Sequence, residues 1–218
     1  MSIFSRHKTT LPTAEEALPG RATSEFVIAP KHRVLDAPVL TPTAPEGYEV
    51  AIFGLGCFWG AEEIYWQKPG VWSTSVGYAG GTTPHPSYEE VCSGRTGHTE
   101  AVRIVFDPSV ISYADLVKTF FEVHDPTQGM RQGNDVGTQY RSAIYWTTPA
   151  QEQTARELTK IYGDELHRQR IGDITTEIRP ASETPYYYAE DHHQQYLAKN
   201  PFGYRCHANT GIRFPATA

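Results

Sequence analysis

Cysteine and long apolar runs are both scarce in this chain of 218 residues, which holds three cysteines, Cys57, Cys92 and Cys206. An odd number of widely spaced cysteines does not suit a disulfide framework, so catalysis, redox cycling and inert burial remain as their roles. No apolar run approaches the length of a membrane span, and the N-terminal residues lack the apolar core of a signal peptide. We therefore expect a cytoplasmic protein.

An excess of basic charge is also missing, because 19 Lys and Arg stand against 25 Asp and Glu. A formal net charge of −6 argues against a nucleic-acid or membrane partner. The sequence has no Walker loop, no Rossmann fingerprint and no metal-binding spacing of Cys or His. The run Glu190–His193 would lie on a predicted helix, where consecutive side chains point about 100° apart and cannot converge on one ion. We expect neither a bound metal nor a bound cofactor.

What the sequence has is a strand, a tight turn and a helix around Cys57. The strand is predicted over residues 48–55 and the helix over residues 58–67. The N-terminus of a helix favours an anion, so we expect a lowered thiol pKa at Cys57. Phe58 and Trp59 would form an apolar wall beside the sulfur. Cys57 is therefore the candidate nucleophile, and burial as a small apolar side chain is the alternative.

The order of the predicted elements indicates an α+β fold. Further strands are predicted over residues 71–78, 100–106 and 139–147, and a helix begins after Ser112. The resulting β-α-β-β-α-β order is that of a ferredoxin-like two-layer sandwich. Additional elements follow it: a long helix opened by Thr148 and Pro149, a strand near residues 173–178, and a short helix near residues 187–198.

Composition divides the chain into three segments. Residues 1–47 contain six prolines and little periodicity, which predicts an irregular N-terminal arm. Residues 48–198 form the predicted catalytic sandwich domain. Residues 199–218 are predicted to be a C-terminal coil, and this coil carries Cys206.

Four polar residues at predicted loops or strand ends are candidates for a site. Glu100 opens a strand, and burial beside aromatic rings would raise its pKa and make it a general acid; a solvated carboxylate is the alternative. Tyr88 and Tyr140 can donate hydrogen bonds, although most of the 13 tyrosines must serve packing. Asp135, in a loop rich in Gly and Asn, is by itself typical of a turn.

The two other thiols have alternative roles. Cys206 is either an inert thiol of the coil or a disulfide partner of Cys57, which requires Cα atoms within about 7 Å. Cys92 lies between strands, where an inert buried thiol is expected more often than a third participant.

Four motifs in combination resemble the A-type peptide methionine sulfoxide reductases. They are Gly-Cys-Phe-Trp-Gly at residues 56–60 and the runs at residues 94–100, 133–142 and 189–197. The match extends from about residue 48 through residue 204. The resemblance implies a thiol reductase that returns methionine S-sulfoxide, free or in proteins, to methionine, with thioredoxin or a small dithiol as external reductant.

The resemblance also implies roles for individual residues. Cys57 would be the nucleophile and Glu100 the proton donor. The substrate pocket would be formed by the remaining matched residues: Phe58, Trp59, Tyr88, Asp135 and Tyr140. Attack on the sulfoxide would leave Cys57 as a sulfenic acid, which a second thiol converts to a disulfide.

The chain departs from a common family pattern at that second thiol. Many members have a cysteine directly after the Gly-Tyr that corresponds to residues 203–204, whereas Arg205 stands there in this chain and Cys206 follows one position later. We expect Cys206 to resolve the Cys57 sulfenic acid, with Cys92 as the rival.

Two other classes of function compete with a sulfoxide reductase. One is a hydrolase in which Cys57 is activated by a histidine base, for which His98, His124 and His192 are candidates. The other is a binding or scaffold domain with an inert thiol. In each case we expect a monomer.

Overall fold

The computed structural model describes residues 7–216, and its regular elements lie mainly in the predicted sandwich domain. The strands are β1 Glu49–Leu55, β2 Val71–Ala79, β3 Thr99–Phe106, β4 Arg131–Gln132, β5 Asp135–Val136, β6 Ser142–Trp146, β7 Glu177–Pro180 and β8 Tyr187–Tyr188. The helices are α1 Phe58–Trp66, α2 Tyr88–Cys92, α3 Tyr113–Val123, α4 Pro149–Arg168 and α5 Tyr196–Lys199. None of the helices described between residues 7 and 216 is long and apolar enough to cross a membrane.

A six-stranded sheet organises the domain, in the order β7-β6-β1-β3-β2-β8. Neighbouring strands are antiparallel except β6 and β7, which run parallel. Phe53 of β1 lies opposite Val102 of β3 on one side and Ile144 of β6 on the other. Strands β4 and β5 form a separate hairpin. Because β1 and β3 are central and antiparallel, the C-terminal end of β1 lies beside the N-terminal end of β3. Cys57 and Glu100 therefore lie at the same end of these two strands.

The main core lies between one face of this sheet and helices α1, α3 and α4. Ala51, Phe53 and Leu55 of β1 belong to it, whereas Ile52 belongs to a smaller cluster with Tyr145 on the opposite face. This alternation is the period of two that a strand imposes on its side chains. The mixed α/β sandwich predicted from the pattern is therefore confirmed at this level.

The two longest helices begin at the predicted caps. The hydroxyl of Ser112 accepts the N–H of Asp115, and the hydroxyl of Thr148 accepts the N–H of Gln151. Pro149 follows in the first turn of α4, where a proline costs no hydrogen bond. These contacts satisfy N–H groups that a helix leaves unpaired at its start.

Helix α2 replaces the loop predicted around Tyr88. Its N-terminus is a capping box: the Ser87 hydroxyl accepts the N–H of Glu90, and the Glu90 carboxylate accepts the N–H of Ser87. The Ser-x-x-Glu spacing was the signal for this helix in the sequence. As a result, Tyr88 and Cys92 lie on one short helix.

Two predicted strands differ from the structure in extent. The strand predicted over residues 139–147 begins only at Ser142, because residues 138–140 form a 3₁₀ turn. The strand predicted near residues 173–178 is found at Glu177–Pro180, where it pairs in parallel with β6.

The predicted helix over residues 187–198 is wrong over most of its length. Only α5 is helical, and Gln195 before it has a left-handed backbone with φ +47°. The N–H and side-chain amide of Gln195 both donate to the buried carboxylate of Glu62, at 2.8 Å each. This tertiary contact holds a conformation that a continuous helix does not allow.

The N-terminal arm lies over the domain beside helix α2. The N–H of Leu18 donates to the carbonyl of Arg95 at 2.9 Å, and Arg21 pairs with Glu90 of α2 at 2.6 Å. The described part of the arm contains a 3₁₀ turn at residues 7–9 and an isolated β-bridge between Lys31 and Pro38. Residues 1–6 of the arm and residues 217–218 of the coil lie outside the described residues.

Candidate active site

Cys57 lies at the turn between β1 and α1, as predicted, and is 9% exposed. Gly56 before it has φ +90°, and a Cβ there would approach Cγ of Gln132 to 2.7 Å. Only glycine fits this turn without strain or displacement of the hairpin. The turn therefore places the thiol at the N-cap of α1, directly after Gly56, which packs against the β4–β5 hairpin.

The pKa of the Cys57 thiol is raised, which corrects the lowered pKa predicted from its place at a helix N-terminus. Burial is the largest cause, and the charge of Glu100 is the next. The backbone N–H groups of Trp59 and Gly60 lower the pKa, as a helix N-terminus should, but by less. The thiol is therefore protonated in the resting protein, and its proton must leave during any nucleophilic attack.

Glu100 is a buried carboxyl group beside this turn. Its side chain is 1% exposed, and its Oε2 accepts the N–H of Phe58 at 2.9 Å. Burial raises the pKa of Glu100 to about 8, although the hydrogen bond from Phe58 lowers it and the charge of Asp135 raises it further. The alternative of a solvated glutamate is wrong, and at neutral pH the group holds a proton that it can donate.

Aromatic side chains wall the space next to the thiol. Trp59 stacks on Tyr196 with ring centroids 3.9 Å apart, and its Nε1 donates to Nδ1 of His193 at 3.0 Å. The His193 ring lies 5.2 Å from the Phe58 ring and 4.4 Å from the Tyr88 ring. Burial lowers the pKa of His193 to about 3, so the imidazole is neutral. Because its Nδ1 accepts from Trp59, its proton is on Nε2, which is buried and has no hydrogen-bond partner among the described residues.

The three remaining predicted pocket residues surround the same space. Burial raises the pKa of both Tyr88 and Tyr140, and the charge of Glu100 is the second cause in each case. Burial also raises the pKa of Asp135, whose charge in turn contributes to the raised pKa values of Glu100 and Cys57. These electrostatic contacts bring Tyr88, Asp135 and Tyr140 near Glu100, although the residues are widely separated in the chain.

His193 and Tyr196 were missed as individual site residues. Both lie within the motif at residues 189–197, whose acidic and His-rich start resembles a metal-binding cluster. Residues 190–193 form turns rather than the helix on which the argument against a metal depended. Glu190 accepts hydrogen bonds from Tyr78 and from the N–H of Tyr88, at 2.8 Å each. Within residues 7–216, no three His, Cys, Asp or Glu side chains are grouped to hold a metal ion.

Cys206 lies in the C-terminal coil, which folds back toward the β1–α1 turn. Its thiol is half-buried and free, and Sγ donates weakly to the carbonyl of Gln132, with sulfur and oxygen 3.6 Å apart. The side chain of Gln132 packs against Gly56, the neighbour of Cys57. The two cysteines therefore border the same β4–β5 hairpin.

Cys92 is the third free thiol and lies at the end of α2, half-buried. Burial raises its pKa, whereas a hydrogen bond with the Tyr88 side chain lowers it. The charge of Glu100 also acts on it, so Cys92 lies nearer to the pocket than its place in the sequence indicated.

The histidines proposed as bases for a hydrolase are engaged elsewhere. Both ring nitrogens of His98 have backbone partners, the N–H of Gly81 and the carbonyl of Thr83. Those of His124 contact the carbonyl of Phe120 and the hydroxyl of Ser142. Burial lowers the pKa of each to about 4. His192 is exposed, and its ring lies 4.0 Å from the His193 ring at an interplanar angle of 41°. None of the three is arranged as a base for Cys57.

Comparisons with known proteins agree on one family. Residues 49–216 match the family described as "Peptide methionine sulfoxide reductase". A relative named "Peptide methionine sulfoxide reductase MsrA" from Salinispora tropica is 58% identical over 215 residues, which cover 98% of this chain and 96% of the relative. The protein of the same name from Rhodospirillum centenum is 56% identical over 215 residues, covering 99% of this chain and 96% of that protein. The solved structure of methionine sulfoxide reductase A of Corynebacterium diphtheriae aligns with a TM-score of 0.84 and 48% identity, covering 95% of this chain and 100% of the other.

Proposed function

The chain belongs to the peptide methionine sulfoxide reductase family and reduces methionine sulfoxide to methionine, and we propose that Cys57 and Glu100 carry this reaction. The single observation behind the proposal is the buried Glu100 carboxyl, whose pKa of about 8 keeps it protonated beside the thiol. A sulfoxide oxygen is a poor leaving group until it is protonated. A neutral acid next to a sulfur nucleophile is therefore the pair that this reduction requires.

The first half-reaction transfers oxygen from substrate to enzyme. Glu100 gives its proton to the sulfoxide oxygen, and Cys57 Sγ forms a bond to the substrate sulfur. Because the thiol pKa is raised, we propose that the thiol proton passes to the Glu100 carboxylate as this bond forms. The oxygen then moves from the substrate sulfur to Cys57 Sγ: the S–O bond of the substrate and the bond between the two sulfurs break, and a bond between Sγ and the oxygen forms. Methionine is released, and Cys57 is left as a sulfenic acid.

We propose that the pocket selects the substrate by shape and by polarity. Phe58 and Trp59 would hold the methyl group, and Tyr88, Asp135 and Tyr140 would complete the polar side. If the methyl group and the oxygen are fixed separately, only one configuration at sulfur can satisfy both. The S-sulfoxide, free or in proteins, is the epimer that the motifs imply.

The second half-reaction restores the enzyme. We propose that the Cys206 thiolate attacks Cys57 Sγ, the S–O bond breaks, and the oxygen leaves as water after taking a proton. The Cys57–Cys206 disulfide is then reduced by an external dithiol of the thioredoxin type. Cys206 contacts Gln132 of the β4–β5 hairpin, and the side chain of Gln132 packs against Gly56. This contact supports Cys206 over Cys92 as the resolving thiol.

We also propose that the core is ferredoxin-like, because the strand order β6-β1-β3-β2 with antiparallel neighbours is that of a split β-α-β sandwich. Residues 48–198 would be the catalytic domain, residues 1–47 an arm and residues 199–218 a recycling tail. A monomer is proposed because one chain supplies every site residue named above. Three free thiols suit a cytoplasmic location.

The proposal is tested by mixing the reduced protein with the separate S and R sulfoxides of N-acetylmethionine and counting thiols lost per thioether formed. The parent should form one thioether from the S epimer and lose two thiols. The Cys57→Ser variant should form none, because a hydroxyl is a far weaker nucleophile toward sulfur. Substantial product from Cys57→Ser, or equal rates on the two epimers, would contradict the assignment.

A further inference from the structure

Arg205, directly before Cys206, is the most extensively bonded side chain of the coil after α5 among the described residues. Its Nε and one terminal nitrogen donate to the two oxygens of Glu63, at 2.6 and 2.7 Å. The other terminal nitrogen donates to the backbone carbonyls of Pro201 and Gly203, at 2.9 and 3.2 Å. One guanidinium therefore closes the loop of residues 201–205 on itself and ties that loop to the domain.

The partner of Arg205 lies on the helix that positions the nucleophile. Glu63 belongs to α1, the helix whose N-cap is Cys57. The ion pair is partly sheltered, with 29% of the Arg205 side chain and 21% of the Glu63 side chain exposed. A bidentate guanidinium–carboxylate pair fixes orientation as well as distance, which a single lysine contact does not.

A second contact holds the same segment from the other side. The hydroxyl of Tyr204 donates to Oδ2 of Asp135 at 3.1 Å. Residues 204 and 205 are thus bound to the β4–β5 hairpin and to α1 respectively, and Cys206 follows with its sulfur 3.6 Å from the carbonyl of Gln132. On the other side of Cys206, the coil is bound to the domain through Thr210 and Ile212, which both contact the hydroxyl of Tyr162 at 2.8 Å. Tyr204 and Arg205 are therefore the nearer anchors of the thiol in the chain.

We propose that the Arg205–Glu63 ion pair positions Cys206 for attack on the Cys57 sulfenic acid. The inference rests on the proposed recycling reaction and assigns Arg205 as a positioning residue, not a catalytic one. A free coil would have to lose conformational freedom each time the two sulfurs meet, whereas the ion pair restricts the coil beforehand. The chemical step is unchanged: a Cys57–Cys206 bond forms, the sulfenic S–O bond breaks, and water leaves.

The test measures two rates in the full-length protein after one equivalent of the S-sulfoxide of N-acetylmethionine is added. One is the release of thioether, and the other is closure of the disulfide, followed by quenched thiol alkylation and by trapping sulfenic acid with dimedone. Arg205→Ala should release thioether at the parental rate but close the disulfide about fivefold more slowly, the upper end of the effect of a partly exposed ion pair. Arg205→Lys keeps the charge but cannot make the two parallel hydrogen bonds of a guanidinium. Its disulfide should close at a rate between those of the parent and of Arg205→Ala.

Coupling and a matched control separate this role from general damage to the coil. Glu63→Gln should slow closure to a similar extent, and Glu63→Gln combined with Arg205→Ala should be no slower than Arg205→Ala alone. Arg213→Ala removes an exposed arginine from the same coil and should close at the parental rate.

Three results would overturn the inference while leaving the reductase assignment intact. They are closure at the parental rate in Arg205→Ala, equal slowing in Arg213→Ala, and additive effects of the Glu63 and Arg205 changes. Failure of the parent itself to release thioether would instead refute the proposed function. A parent that releases thioether but forms no Cys57–Cys206 disulfide would refute the proposed recycling, and the inference with it.

Discussion

At the residue scale, burial determines the protonation of the two residues that we propose to react. Cys57 and Glu100 both have raised pKa values, so each holds its proton in the resting protein. If the thiol proton moves to Glu100 during attack, the reactive enzyme carries both protons. If a thiolate is formed beforehand, the reactive enzyme carries one.

The pH dependence of the first half-reaction separates these two cases. With Glu100 as the acid and the thiol as the starting form, the single-turnover rate should be constant below the Glu100 pKa of about 8 and fall as the pH rises through it. Glu100→Gln should be slower by about a hundredfold or more and should lack this fall, because an amide gives up no proton. Rapid mixing with quantification of thioether measures both rates. A parental rate that rises toward pH 8 would show that the reactive form has already lost one proton.

The same carboxyl group should make folding stability depend on pH. The folded pKa of Glu100 is raised from 4.5 to about 8, so between these values the folded state holds a proton that the unfolded chain releases. This stabilising contribution is complete below the unfolded pKa and is lost as the pH rises through the folded pKa. Urea unfolding at roughly pH 6 and pH 9 should therefore show a larger decrease in the parent than in Glu100→Gln. An equal decrease in both proteins would argue that Glu100 is not the group responsible.

The β1–α1 turn joins the nucleophile to the domain at the element scale. It ends a central strand, begins the helix that supplies Phe58 and Trp59, and packs against the β4–β5 hairpin through Gly56. Gln132 of this hairpin also contacts Cys206, so one hairpin residue lies between the turn that carries Cys57 and the thiol of the coil.

Replacing the turn glycine should disturb this element. Gly56→Ala puts a side chain at φ +90° and within 2.7 Å of Cγ of Gln132, so the free energy of unfolding should fall by about 2 kcal/mol. Gly60→Ala is the matched control, because nothing lies within 4 Å of its Cβ and an alanine inside a helix stabilises by up to about 1 kcal/mol. Denaturant unfolding measures both changes. Parental stability in Gly56→Ala would mean that the turn can adopt another conformation.

At the scale of the whole molecule, segments distant in sequence bind the helices that carry the proposed site residues. The arm contacts α2 through Arg21 and Glu90, and the C-terminal coil reaches α1 through Arg205 and Glu63. Helix α2, which carries Tyr88, is thus bound by the N-terminal arm. The coil with Cys206, the thiol proposed to regenerate the enzyme, is bound to α1.

Removal of the coil thiol should separate the two half-reactions. Cys206→Ser should still release about one thioether per enzyme in a single turnover, while turnover driven by thioredoxin should stop because no disulfide is presented to it. Dimedone labelling of Cys57 and mass analysis of the oxidised protein provide the measurement. Cys92→Ser is the control and should retain turnover. A Cys57–Cys92 linkage in the oxidised parent would reassign the resolving thiol.

The sequence by itself determined the elements with a strong local signal. The apolar run of β1, the alternation in β3, the Ser112 and Thr148 caps, and the glycine before Cys57 are local features. The structure has strands, helices and a turn where they indicate. The motifs also indicated the family correctly, because four long runs of specific residues carry more information than any single spacing.

Only the tertiary structure decided the features that depend on contacts between distant residues. Residues 187–198 lack a continuous helix because Gln195 binds the buried Glu62, and no local pattern indicates that contact. The thiol pKa of Cys57 rises because burial and Glu100 outweigh the helix N-terminus, and the sequence cannot rank these opposing effects without knowing how deeply the sulfur lies. The positions of His193 and Arg205 likewise depend on tertiary contacts, because their partners Trp59 and Glu63 lie more than a hundred residues away in the chain.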